Sequence, residues 1–141
     1  RHTKSELLLE SPLELVVPLD EYDYETGIAV DIEQLFNDYS FFINHIPSVS
    51  DEINHQIKTH FPSTKTISIS QSYIVKRFIK DGLGISFLPK MITRREMMEG
   101  RFNVIPFPHF KLPTVQVFLL TRKDYVVSKD LVELIKTSYI G

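Results

Sequence analysis

The chain has 141 residues, enough for one ordinary domain or two small subdomains. Hydrophobic residues make up 43%, with ten Phe and six Tyr among the aromatic ones, so a packed core is affordable in composition and disorder is disfavoured. A formal net charge of −2 removes the basic footprint of a nucleic-acid-binding domain, and the absence of cysteine excludes disulfides, thiolate metal sites and a cysteine nucleophile.

The opening "RHTKSELLLESPLELVVPLDEY" has glutamates and a proline inside its apolar stretches, so it is neither a signal peptide nor a membrane span. A soluble, cytoplasmic chain is expected, and a start at Arg1 rather than Met gives the expectation of a fragment. "ELLLESPLELVVPL" reads as short extended runs broken by Pro12 and closed by Pro18. "DEYDYETG" is a polar turn ending in Gly27. "VDIEQLFNDYS" then predicts a helix capped by Asp31, with Ile32, Leu35 and Phe36 on one face. "FFINHI" is a buried-strand candidate that Pro47 stops.

"SVSDEINHQIKTHF" predicts a helix capped by Ser48 or Ser50, with an acidic first turn and Ile53, Ile57 and Phe61 spaced by four. "TKTISIS" alternates as a strand does. In "QSYIVKRFIKD" Ile74, Val75, Phe78 and Ile79 share a helical face. "ISFLP" is the next strand, and "MITRREMMEG" a short helix ended by Gly100. After the proline-rich "RFNVIPFPHFKLP" comes the strand "TVQVFLLTRK", then an amphipathic helix over "SKDLVELIKTSYI" with Ser128 as cap. Strands alternating with helices predict an α/β architecture with mainly parallel pairing.

The segment "KDGLGISFLP" carries two glycines where a helix-to-strand connection needs one. Gly82 suits a left-handed helix end. Gly84 stands at the entry of a buried strand, where a missing side chain lets another backbone or a ligand approach. The glycines follow a helix instead of opening one, so this is no dinucleotide fingerprint.

"SYIVKRFIKDGLGISFLPKMITRREMMEGRFNVIPF" resembles the second regulatory subdomain of LysR-type transcriptional regulators. Gly82, Gly84, Ile85, Leu88, Pro89, Gly100 and the Val104–Pro106 stretch fall where that family's pattern wants them. "LLLESPLELVVP", "DIEQLFNDYSFFINH" and the stretch from Thr114 onward agree in order. The resemblance implies a type 2 periplasmic-binding-protein-like α/β fold, with one complete lobe and parts of a second. Residues 1–19 would be exit strands of the first lobe, 20–113 the second lobe, and 114–141 the strand and helix returning to the first. It also implies a small-molecule effector between the lobes, homo-oligomers in the full-length protein, and DNA contact only through a helix-turn-helix upstream of Arg1. Unpaired apolar strands at the two ends would favour self-association.

Ligands in such sheets lie beyond the carboxyl ends of strands. Ser70, Gln71 and Ser72 begin a helix there, and their hydroxyls and N–H groups suit a carboxylate; a simple N-cap role for either serine stays open beside that. Asn44 and His45 occupy the position that faces the cleft in the resembled family, though an ordinary loop histidine fits the sequence equally. Gly84, Ile85 and Phe87 form the third wall by the same resemblance. Arg94, Arg101 or Arg122 could clamp an anionic effector, and the basic clusters otherwise read as solvated faces. His55 and His60, five apart, read as surface residues.

No catalytic motif, metal-ligand spacing or cofactor loop organises the titratable residues, so the expectation is a non-enzymatic sensor without cofactor or metal. The alternatives are a solute-binding receptor or an enzyme on the same bilobal fold, and a dimerisation module.

Overall fold

The computed structural model describes residues 3–19 and 30–122, with side chains for 9–19 and 30–116. The Asp20–Gly27 turn and the helix capped by Ser128 lie outside the described residues.

Among the described residues, six strands and four α-helices follow in the order β1 (Thr3–Val17), α1 (Ile32–Asp38), β2 (Ser40–Ile43), α2 (Ser50–His60), β3 (Thr66–Ser68), α3 (Ser72–Lys80), β4 (Gly84–Pro89), α4 (Lys90–Met98), β5 (Asn103–Ile105) and β6 (Thr114–Arg122). The sheet order is β3-β2-β4-β1-β5, with β6 on β1. Pairing departs from the mainly parallel expectation. β2 is parallel to β3 and β4, whereas β1 is antiparallel to β4, β5 and β6. Alternating helices predict parallel neighbours only for strands joined by them, and β1 enters the sheet from outside that succession.

β1 also runs straight through Pro12, where two short runs were expected. Thr3 to Pro12 pair with β6, and Leu13 to Val17 pair with β4 and β5. Pro12 thus sits where the strand changes partners, a position at which its missing N–H is tolerated. The apolar ends expected to be left unpaired pair with each other through β1 and β6.

The centre of the sheet, β4 with its neighbours β2 and Leu13–Val17 of β1, is buried on both faces, whereas the edge strand β3 is exposed. Leu13, Leu15, Val17, Phe41, Ile85, Phe87 and Ile105 point to one face, against Ile32, Leu35 and Phe36 of α1 and Ile53 and Ile57 of α2. Val16, Phe42 and Leu88 point to the other, against Val75 and Ile79 of α3. The connector 106–113 lies over the first face, where Phe107, Phe110 and Leu112 close the cluster.

Helix ends explain most of the boundaries. Asp31 caps α1, its Oδ1 accepting from Gln34 N at 3.2 Å. Neither Ser48 nor Ser50 caps α2: a 3-10 turn over Pro47–Val49 leads straight into it, and Ser50 Oγ donates back to the Ile46 carbonyl at 2.8 Å. Gly82 ends α3 at φ +78°, with its N–H on the Ile79 carbonyl and the Leu83 N–H on that of Phe78. Gly100 repeats the arrangement at α4 with φ +67°. Both need the left-handed region that glycine enters without penalty. The start of α4 is capped from far along the chain, because the buried Ser11 Oγ accepts from Met91 N at 3.0 Å.

α3 and α4 are joined by Lys76, whose Nζ lies 2.8 Å from Glu96 Oε2 and donates to the Ile92 carbonyl at 2.9 Å. Burial works against the charged form of Glu96, but the hydrogen bond and charge of Lys76 outweigh it and hold the carboxyl below the ordinary range. Lys76→Met should therefore destabilise the chain by about 1–2 kcal/mol at neutral pH, by leaving a mostly buried carboxylate without its donor. Urea unfolding of the variant checks this.

Candidate functional site

The parallel strands β2, β3 and β4 end together, and the loops leaving them converge. β2 stops at Ile43 because Asn44 turns left-handed at φ +74°, a conformation asparagine tolerates better than most residues. Its side chain then ties this loop to β3 and α2: Asn44 Nδ2 donates to Ser68 Oγ at 2.9 Å, while Asn44 Oδ1 accepts from Asn54 Nδ2 of α2 at 3.0 Å.

His45 reaches the other way, to β4. Its Nε2 is 2.9 Å from the Phe87 carbonyl and 3.2 Å from Ser86 Oγ. A carbonyl only accepts, so Nε2 carries the proton. Ser86 Oγ donates onward to the Phe42 carbonyl at 2.7 Å, leaving its lone pairs for His45. Ser72 Oγ, at the start of α3, donates to the His45 carbonyl at 3.3 Å. Nδ1 of His45 is buried without a hydrogen-bond partner. In the neutral ring it is an acceptor in want of a donor.

His45 lines a small recess with Asn44, Ile46, Ser50, Ser86 and Phe87, with Phe41 and Ile53 among the residues beneath. Its free volume is about 10 Å³, room for roughly one water. None of the residues lining it is charged. Burial accordingly pushes the His45 pKa down, with the carbonyls of Phe87 and Ile43 working against it.

The sign of the pH effect follows. As pH falls below the ordinary histidine range of about 6.5, the unfolded chain takes a proton that folded His45 still refuses. Stability should therefore fall with pH from that range down through the lower folded-state value, and level off beneath it. His45→Leu should flatten this part of the profile; thermal melts of both proteins between pH 7 and 5 check it.

Of the residues expected at the site, Asn44, His45, Ser72 and Phe87 come together at these strand ends. Ser70 and Gln71 stand exposed in the loop between β3 and α3. Neither serine caps α3: Gln71 holds the cap position without a side-chain bond, and Ser72 is bound to His45 instead. Gly84 and Ile85 lie at the opposite, entry end of β4, paired with Ser40 and Phe41. The room beside Gly84 is taken by protein, because an added Cβ would lie 2.6 Å from both Phe42 Cζ and the Ser40 carbonyl oxygen. Ile85 is wholly buried in the core.

Neither Arg94 nor Arg101 lines the recess. Arg101 Nε is 2.7 Å from Glu99 Oε1 at the end of α4, and the Arg122 side chain lies outside the described residues. His55 and His60 are exposed, as expected. Sequence reasoning missed Ser68, Asn54 and Ser86. The signal for Ser86 was a lone hydroxyl inside "GISFLP", where every neighbour is apolar or glycine.

Among the described residues no cluster of three or more potential metal-binding side chains exists, and no helix is long and apolar enough to cross a membrane. The LysR substrate binding domain family matches residues 2–138. The HTH-type transcriptional regulator CitR of Bacillus subtilis (strain 168) is 29% identical over 128 residues, covering 91% of this chain and 44% of that protein. The chain thus spans less than half the length of this relative. The regulatory domain of the HypT M206Q mutant from Salmonella typhimurium is 20% identical with a TM-score of 0.56, over 96% of this chain and 65% of that one. The effector domain of AmpR from Pseudomonas aeruginosa is 12% identical with a TM-score of 0.57, over 99% and 65%. The fold is therefore the α/β, type 2 periplasmic-binding-protein-like architecture of such regulatory domains, and the chain belongs to the LysR substrate-binding domain family.

Proposed function

We propose that this chain is the effector-sensing part of a LysR-type DNA-binding transcriptional regulator, and that it senses a small organic acid. The observation that carries the reading is the convergence of uncharged polar groups at the ends of β2, β3 and β4, around the unpartnered Nδ1 of His45. The first turn of α3 offers free N–H groups beside Ser70 and Ser72, which suit a carboxylate. Neutral His45 offers an acceptor, so an acid that also bears a hydroxyl or amino donor fits better than a bare carboxylate. Binding and orienting are what such a set can do; it contains no nucleophile activated by a base, and the reading is of a sensor, not a catalyst.

The lobes are proposed to divide at the two places where the chain passes between pairings. β1 changes partners at Pro12, and Pro113 returns the chain to β6, with Leu13 N on the Pro113 carbonyl at 3.4 Å. On this reading 20–113 is the second lobe, 1–19 and 114–141 belong wholly or in part to the first, and Leu13 to Val17 are the portion of β1 that the second lobe shares. The effector would bias the angle between lobes, and the bias would pass through a homo-oligomer to DNA-binding domains elsewhere in a cytoplasmic protein. Such a shift requires unequal affinity for the two arrangements.

A thermal-shift screen of hydroxy and amino carboxylic acids against the full-length protein tests the reading. Stabilisation by one acid in the wild type, and its loss in Asn44→Ala, is the expected result. Equal stabilisation of both proteins by every acid that acts would overturn it.

A further inference from the structure

Phe87 belongs at once to the candidate site and to the aromatic cluster over the sheet. Its carbonyl holds His45 Nε2 at 2.9 Å. Its ring meets Phe41, Phe107 and Phe110 edge-on, at centroid distances of 5.1, 5.0 and 5.9 Å and interplanar angles of 68°, 71° and 84°. Phe107 and Phe110 are themselves edge-on at 4.8 Å, and both belong to the connector 106–113 that leads from β5 to β6. Rings in such contact interdigitate at solid-like density, so one cannot shift without its neighbours giving way.

We propose that Phe87 is a positioning residue that couples the loop at Asn44 and His45 to the connector 106–113. This rests on the effector-sensing reading and names the regulation of that site. While His45 holds the Phe87 carbonyl, the ring is seated against Phe107 and Phe110. A ligand group that draws His45 away releases the carbonyl, and the ring, the connector and the entry to β6 settle into a second arrangement. The connector is where the chain leaves the five-stranded part of the sheet, so a change there is felt by the β1–β6 pair. His60 and His109 also touch this cluster, at 5.1 Å from Phe110 and 5.4 Å from Phe107 respectively, so the coupling has to be tested at one fixed pH.

The test uses amide hydrogen exchange of the full chain at pH 7 with no effector present, so its failure is separable from a failure of the sensing reading. His45→Leu removes the donor to the Phe87 carbonyl. Exchange at Phe107, Phe110 and Leu112 is expected to quicken at least threefold, while that of Ile92 to Met97 in α4 stays at the wild-type rate. In a Phe87→Leu background, His45→Leu should then add nothing at the connector. Should Phe87→Leu fail to fold, Phe110→Leu interrupts the same contact from its other side and carries the same criterion at Phe107 and Leu112. Unchanged exchange in His45→Leu, equal acceleration in α4, or an undiminished effect in the second background would overturn the proposal.

Discussion

Phe36→Ala is expected to cost about 3–5 kcal/mol, the range for truncating a fully buried phenylalanine. The ring is wholly buried where α1 meets the sheet. It stacks on Phe61 at 4.1 Å and 12° and on Phe41 at 5.4 Å, and touches Phe107 at 5.9 Å and Phe87 at 6.4 Å. These neighbours come from β2, β4, the end of α2 and the connector, so the vacated space cannot close by moving any one element. Against a total stability of roughly 5–15 kcal/mol, such a loss places the chain near its unfolding threshold. Urea unfolding should show a lower midpoint with an unchanged slope; a loss below 1 kcal/mol would mean that the rings do not pack as described.

Gly84→Ala should come next, at the upper end of the roughly 1–3 kcal/mol that overpacking typically costs. The difficulty is space and not backbone conformation. At 2.6 Å from the Ser40 carbonyl and 2.6–2.7 Å from two atoms of the Phe42 ring, the new methyl would press on backbone as well as on a ring that packs against Phe78 at 5.8 Å. Relief requires β2 and β4 to separate or Phe42 to leave its seat. Gly84→Ala combined with Phe42→Leu should recover part of the loss, and Gly82→Ala offers a contrast. Gly82 has nothing within 4 Å of an added Cβ, so its penalty is that of the left-handed backbone alone.

The two glycines show how far the sequence could be read. Gly82 after an amphipathic run was legible as a helix end, because local sterics decide it. Gly84 was legible as a close approach, but not as one made by Phe42 rather than a ligand, since the partner is forty-two residues away. The same division holds elsewhere. Asp31 was legible as a cap from its place before Ile32, Leu35 and Phe36. The cap of α4 was not, because Ser11 supplies it from β1. The antiparallel entry of β1 is hidden in the sequence for the same reason: pairing between distant strands leaves no periodicity in either one.

At the site, Asn44 and His45 were legible only through resemblance, as polar residues just past a buried strand. Their partners Asn54, Ser68 and Ser86 lie in three different elements, and sequence alone gave no reason to join them. The burial that keeps His45 neutral was equally hidden, since it depends on the uncharged walls of a recess built from β1, β2, α2 and β4. That burial makes His45 a neutral acceptor, which prefers a ligand bearing a donor.

The proposed effector site lies at the carboxyl ends of β2, β3 and β4. Backbone amide shifts of the isotope-labelled full chain, followed during titration with the acid that stabilises the full-length protein most, test it directly. The largest shifts are expected at Asn44 to Ile46 and at Ser70 to Ser72. Shifts confined to the groove along α4, around Met91, Arg95 and Met98, with those two loops unmoved, would contradict it.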